Sequence, residues 1–315
     1  MSSAPRPTRR RPLRALDVWL RAPGPATRLA ALRILVGACA TVYLAVRLVH
    51  LISFVEFPAR SFDPVGVVAL LSAPLPGWLV IGLVLLSLPL AVAFTLGWRF
   101  AATGPLFAAN LLWVLSYRNS WGMIFHTDNL MVLHILVLAL SRAADAWSLD
   151  ARAGRTRDDP EAHGWPVRLL AVVTVASYLI AGVAKLRLSG VGWISSDLLR
   201  NYVAYDNLRK LELGDFHSPL GARLIAYPWL FPPLAALSLV LELGAPLALA
   251  GPRLARVWAA GAWAFHLGVL AVMAIFFPYP LFGLAFAPLF AVERLRLWRW
   301  LGLAPRPAPE LAPEP

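Results

Sequence analysis

Long apolar blocks, almost free of charge, alternate along this chain with short stretches rich in Arg, Pro or Gly. About twenty consecutive apolar residues cross a bilayer core as a helix, and only helices or closed barrels satisfy their backbone there. The blocks are too long and continuous for barrel strands. They predict spans at Leu29–Leu51, Trp78–Leu96, Phe100–Ser116, Trp121–Leu140, Val167–Lys185, Leu230–Ala250 and Leu254–Phe277. A shorter block, Leu281–Val292, reads as an eighth span or a re-entrant segment. The expected fold is an all-α, polytopic membrane helix bundle of about eight transmembrane helices. Three parts follow: a basic segment 1–28 with a surface-lying piece near Leu13–Leu20, a membrane domain 29–292, and a basic, Pro-rich tail 293–315.

Composition strengthens this reading. The chain is 59% hydrophobic and 15% charged, with a mean hydropathy of +0.66. A soluble domain is nearer a quarter charged. The net charge of +12 does not argue for nucleic acid, because the basic residues gather at block ends. There they orient a membrane protein. Placing the Arg-rich N-terminus in the cytoplasm also puts Arg99, the Arg142–Arg168 loop, Arg253 with Arg256, and the C-terminal tail inside. Only the long Arg187–Tyr227 segment dissents. The expected location is the cell (plasma) membrane, with both termini cytoplasmic. The first apolar block is too long for a signal-peptide core. Heavy use of Ala, Leu, Arg and Pro points to a bacterial gene. Cys39 is the single cysteine, so no internal disulfide or cysteine-cluster metal site is expected.

An ionisable residue inside a span costs at least about 2.5–3.5 kcal/mol, which makes it a functional candidate by default. Those here are Arg33, His126, Asp128, His134, Lys185, Glu242 and His266, with Asn110 and Asn129 as polar neighbours. In the topology above His126, Lys185 and His266 aim at the outer half. Lys185 and Lys210 are the only lysines. Arg cannot give up its proton, whereas a lysine in an apolar setting can act as a base. The competing reading is an anchor whose amine snorkels to the interface. Histidines satisfied between helices, and Glu242 paired with Arg33 or backbone, are the corresponding structural readings. Trp78, Trp98, Trp121, Trp165 and Trp193 read as interfacial anchors. No phosphate loop, zinc-protease motif or serine-hydrolase elbow is present, and no metal is expected.

Three stretches, in order, resemble one known family. Tyr178-Leu179-Ile180-Ala181-Gly182-Val183-Ala184-Lys185-Leu186 with Gly192-Trp193 is similar to a motif of the vitamin K-dependent γ-carboxylase family. The broad bacterial branch of that family is the horizontally transferred transmembrane (HTTM) domain. Ser120-Trp121 through His126 to Ala146-Trp147-Ser148-Leu149-Asp150 resembles its segment around a functional histidine. Phe265-His266, continuing to Phe277-Pro278-Tyr279 and Ala287-Pro288-Leu289-Phe290, resembles a third block.

The resemblance implies a quinol-dependent enzyme with an outward-facing site, either a carboxylase-like lyase or a quinol epoxidase. Its substrate or cofactor would be a reduced naphthoquinone, vitamin K hydroquinone or menaquinol. Lys185 matches the family's base by position, and His126 its functional histidine. His266, Asn129, Asp128, Tyr178, Trp193 and Glu242 are the supporting candidates. The implied partners are the lipid bilayer, a quinol and a peptide or protein substrate; nucleic acid is not expected. The alternative is a non-carboxylating member, an accessory in peptide or toxin maturation or a quinone- or lipid-binding partner. A purely structural scaffold is the third reading.

Overall fold

The computed structural model describes residues 11–124, 126–156 and 159–303. All regular structure among them is helical. An 11-residue helix, α1 (Arg11–Arg21), precedes α2 (Ala26–Ser53), α3 (Gly77–Leu96), α4 (Phe100–Asn119), α5 (Asn129–Ala139), α6 (Pro160–Ser189), α7 (Leu198–Glu212), α8 (Phe231–Leu243) and α9 (Pro252–Met273). Five helical stretches are long and apolar enough to cross a membrane: Ala26–Glu56, Gly77–Leu96, Phe100–Asn119, Pro160–Ser189 and Pro252–Met273. Two shorter apolar helices, Asn129–Ala139 and Pro228–Leu243, stand beside them. Helices α2 to α6 pack in chain order, α8 and the 245–249 turn close against α6, and α9 packs on that turn and on α8.

The surface of the bundle is that of a membrane protein. The most apolar stretch of α3 has a mean hydropathy of 2.6, yet only 28% of it is buried in protein. Val42, Val46 and Val49 on α2, and Ile180, Val183 and Leu188 on α6, likewise project outward. Lipid is the solvent that such faces fit. The interior is closed by aromatic and small side chains, with Phe94 packed between Phe100 and Phe107. Pro89, Pro105 and Pro166 lie inside helices, as lipid-embedded helices tolerate.

Several boundaries differ from those expected. The fourth block is not helical from Trp121: the chain turns through Gly122, at φ +99°, and α5 begins only at Asn129. Ser120 causes this. Its carbonyl accepts from the Asp63 amide and its hydroxyl from the Val65 amide, which ties the segment to the preceding loop. The sixth block breaks at Gly244 into a 3-10 turn, Ala245–Leu249. The seventh ends at Met273, because Ala274 takes the left-handed conformation. Residues 281–292 form the turn Pro278–Leu281 and a 3-10 segment, Leu284–Leu289, rather than a long helix. Conversely, α6 starts at Pro160, capped by Asp159, well before the expected Val167. The tail beyond Leu303 lies outside the described residues.

Arg33 shows how the corners are held. It is fully buried, and its guanidinium donates to four carbonyls: Thr95 (3.3 Å), Ala143 (2.7 Å), Ala146 (3.3 Å) and Trp147 (2.5 Å). It therefore caps the end of α3 and the 143–147 turn together, and the expected alternative of pairing with Glu242 is wrong. Asp150 works beside it by accepting the Arg99 and Phe100 amides at the start of α4. Lys210 has a similar task. With Asn207 and Ser218 it donates to the carbonyls of Met273, Val272 and Ala271, capping α9.

Candidate functional site

The site is built along one face of α6. Thr174, Tyr178, Gly182 and Lys185 follow each other at helical spacings of four, four and three, so they form a stripe. A stripe of polar groups on an apolar helix must find partners in neighbouring helices. Each residue does so differently.

Thr174 meets His134 of α5. The His134 ring lies fully buried between the Tyr279 hydroxyl (2.6 Å) and Thr174 Oγ1 (3.1 Å). Both ring nitrogens are satisfied, which is the structural reading of that histidine. One turn along, Tyr178 Oη lies 2.7 Å from His266 Nε2 of α9. The other nitrogen, His266 Nδ1, is buried with no partner among the described residues. If Tyr178 donates to Nε2, the neutral ring carries its hydrogen on Nδ1; in the reverse arrangement Nδ1 is an acceptor. Either way one hydrogen-bonding site on a buried ring remains open.

Lys185 ends the stripe. Its amine lies 2.5 Å from Glu242 Oε1 of α8, and does not extend to the interface as an anchor would. Gly182 makes this pair possible. A Cβ at that position would stand 2.9 Å from the Glu242 Cβ, so only glycine lets α6 and α8 approach this closely. Glu242 is the more enclosed partner, with its side chain 5% exposed against 22% for Lys185. The second carboxylate oxygen, Oε2, is buried without a partner among the described residues. The amine also lies 4.9 Å from the Trp193 ring centroid and 5.9 Å from that of Phe265. Trp193 is held by its indole N–H donating to Ser238 Oγ of α8 (3.2 Å). Phe265, beside the Lys185 amine, and His266, bonded to Tyr178, are consecutive residues of α9, which brings the two polar pairs to one stretch of that helix.

The chemistry available is that of an amine and a carboxylate in an apolar, aromatic surround. The carboxylate accepts the hydrogen bond of the amine, and the indole face lies beside it. Water is scarce in such a place, so the two charges are worth keeping only if they stay together. Two buried groups without partners, Glu242 Oε2 and His266 Nδ1, call for an explanation, since buried polar groups are nearly always satisfied.

Of the expected site residues, the structure brings together Lys185, Glu242, Tyr178, His266 and Trp193. It places Asp128 elsewhere, in a buried cluster with Arg118 (2.8 Å) and the Tyr43 hydroxyl (2.9 Å). Asn129 opens α5 on the exposed side. Neither makes a hydrogen bond, ion pair or ring contact to Lys185 among the described residues. His126 opens the 3-10 turn His126–Asp128, and its side chain lies outside what the structure describes. Trp121 and Trp193 are buried, so they are not interfacial anchors; Trp78 is 74% exposed and fits that role. Phe265 and Ser238 escaped the reading of the sequence. Phe265 precedes His266 in a stretch already noted, whereas nothing in the pattern around Ser238 marks it.

A family model described as the HTTM domain matches residues 22–294. No curated protein and no solved structure matches the chain.

Proposed function

Because the chain belongs to the HTTM domain family, and so is a membrane protein of that family, we propose that the Lys185–Glu242 pair is the proton-accepting centre of an enzyme acting on a lipid-soluble hydroquinone. The observation that carries this reading is the coexistence, in one apolar site, of a reachable amine and two buried polar atoms with no partner, Glu242 Oε2 and His266 Nδ1. An aromatic diol fits those needs. It offers hydroxyl groups to hydrogen-bond the open positions and a flat ring to stack against Trp193 and Phe265.

A base must first be free of its own proton. Glu242 is the acceptor within reach, so the proton of Lys185 passes to the carboxylate across the existing hydrogen bond. The amine lone pair then takes a hydroxyl proton from the bound diol. His266, oriented by Tyr178, holds the ring oxygen through Nδ1. When bound, the hydroquinone supplies an acidic hydroxyl and two reducing electrons. A naphthoquinol such as vitamin K hydroquinone or menaquinol is the proposed substrate; a peptide or protein carboxylation substrate is a further expectation of the family resemblance.

The site lies towards the end of the bundle where α6 finishes; Arg28, Arg99, Arg168, Arg253 and Arg256 mark the opposite end, whereas Arg187, Arg200, Arg209, Lys210 and Arg223 follow at the site end in the one segment that dissents. Basic residues face the cytoplasm. That asymmetry supports an outward-facing site in the plasma membrane, with the shorter helices α5 and α8 and the 281–292 segment completing an eight-pass arrangement.

The ion pair itself favours a second reading, a staple between α6 and α8 in a quinone- or lipid-binding partner without catalysis. Substitution separates the two. Lys185→Arg keeps the charge and the pairing with Glu242, so a staple tolerates it; a base does not, because Arg holds its proton. Purified wild-type protein should consume menaquinol in an oxygen-dependent reaction, and Lys185→Arg should lose at least about a hundredfold of that rate. Equal rates in the two proteins would overturn the enzymatic reading and leave the staple.

A further inference from the structure

A second site lies at the basic end of the bundle. The segment linking α1 to α2 presses on the start of α6: the Gly24 amide donates to the Pro160 carbonyl (3.1 Å), and a Cβ on Gly164 would meet the Ala22 carbonyl oxygen at 2.0 Å. Beneath this contact is a cavity of about 240 Å³, lined by residues of the linker, α6 and the first turn of α9. That volume would hold roughly eight waters.

Its charged lining is entirely basic. Among the described residues, Arg28 and Arg168 are the only ionisable side chains on its wall. Neither is used up by protein. Arg28 gives Nε and Nη2 to Glu293 (2.9 and 2.8 Å), which leaves Nη1 without a partner among the described residues. Arg168 gives Nη1 to the carbonyls of Ala22 and Leu20 and stacks over Trp19, leaving Nε and Nη2 without a partner among the described residues. Gly251 and Pro252 bring the N-terminus of the 22-residue α9 to the same wall. A helix N-terminus adds positive potential there. The rest of the lining is apolar.

Two guanidinium groups, Arg28 paired with Glu293 and Arg168 with no acidic partner among the described residues, beside an apolar wall describe a receptor for a phosphate carrying an apolar ester. We propose that this cavity binds a phosphate group, supplied either by the headgroup of an anionic lipid or by free phosphate, and that the bound anion fastens α1 to the bundle. The proposal is independent of the hydroquinone reading. It concerns the other end of α6, and its readout is binding rather than turnover.

The test uses the full chain in phosphatidylcholine nanodiscs, titrated calorimetrically with dihexanoyl phosphatidic acid and, separately, with inorganic phosphate. At least one probe should bind saturably. Arg168→Gln should weaken that binding by about tenfold, the effect of one charge-assisted hydrogen bond. Glu293→Gln should tighten it, since it releases Arg28 from its partner. Binding of the lipid alone assigns the headgroup as the source, and binding of inorganic phosphate alone assigns a soluble anion. If neither probe binds, the proposal is overturned. Unchanged affinity in Arg168→Gln overturns it too, and so does unchanged affinity in Glu293→Gln should Arg168→Gln fail to fold.

Discussion

Breaking the Lys185–Glu242 pair from either side should cost different amounts, and removing both partners should cost least. Loss of one member of a buried ion pair typically destabilises by about 3–5 kcal/mol, because the other charge is stranded. The two side chains are unequally enclosed here, 5% exposed for Glu242 and 22% for Lys185. Lys185→Met strands the buried carboxylate, whose other oxygen already lacks a partner. The expected loss is about 3 kcal/mol, at the low end because the carboxyl can protonate. Glu242→Leu leaves an amine on a side chain that is 22% exposed and lies beside the Trp193 face, so about 1–2 kcal/mol is expected. The double substitution Lys185→Met/Glu242→Leu places two apolar side chains in an apolar site and should lie within about 1 kcal/mol of wild type. The implied coupling is at least about 3 kcal/mol, far beyond the few tenths seen for independent sites. Reversible unfolding by SDS in mixed micelles measures all four proteins. Additive single losses, with coupling under about 0.5 kcal/mol, would refute the pairing. The double variant has a second use: folded and stable, it should be unable to turn over menaquinol.

Three further outcomes follow from the packing. Arg33→Met strands four buried carbonyls and should cost at least about 3 kcal/mol in the same unfolding assay, with Arg33→Lys recovering part of it; a loss under about 1 kcal/mol would contradict the capping role. Gly164→Ala drives a methyl group into the Ala22 carbonyl, so trypsin should cleave the α1 segment several-fold faster than in wild type. Glu293 gives a pH signature. Burial raises its carboxyl, but the hydrogen bonds and charge of Arg28 outweigh this and hold it below the usual carboxylate range. Its stabilising contribution is therefore complete above the unfolded value of about 4.3 and is lost as pH falls through the lower folded value. The thermal transition of wild type should drop in that acid window, and Glu293→Gln should show a shallower drop.

The helical architecture was legible because apolar blocks near bilayer length leave the backbone one way to be satisfied. Block ends were less so. Trp121 to Ile124 looks like the start of a helix by composition, yet Ser120 bonds to a loop that lies 55 residues earlier. Lys185, Glu242 and His266 stood out as ionisable groups in apolar helices, and Tyr178 through the family resemblance. Their partners did not, since Lys185 and Glu242 are 57 residues apart and Tyr178 and His266 are 88 apart. Arg33 was a fair partner for Glu242 by charge alone. Only the fold reveals that it sits among four carbonyls at the other end of the bundle. Gly182 carried a local signal that could have been read: a glycine one turn before a buried lysine marks where a second helix comes close.

The central claim is that Lys185 exchanges its proton at a hydroquinone site while Lys210 only caps a helix. With two lysines in the chain, selective ¹⁵Nζ labelling gives two side-chain signals, assigned by Lys210→Arg. On anaerobic addition of menaquinol, the Lys185 resonance should move and that of Lys210 should stay in place. If the Lys185 signal is unmoved at saturating menaquinol, or both signals move alike, the proposed site is contradicted.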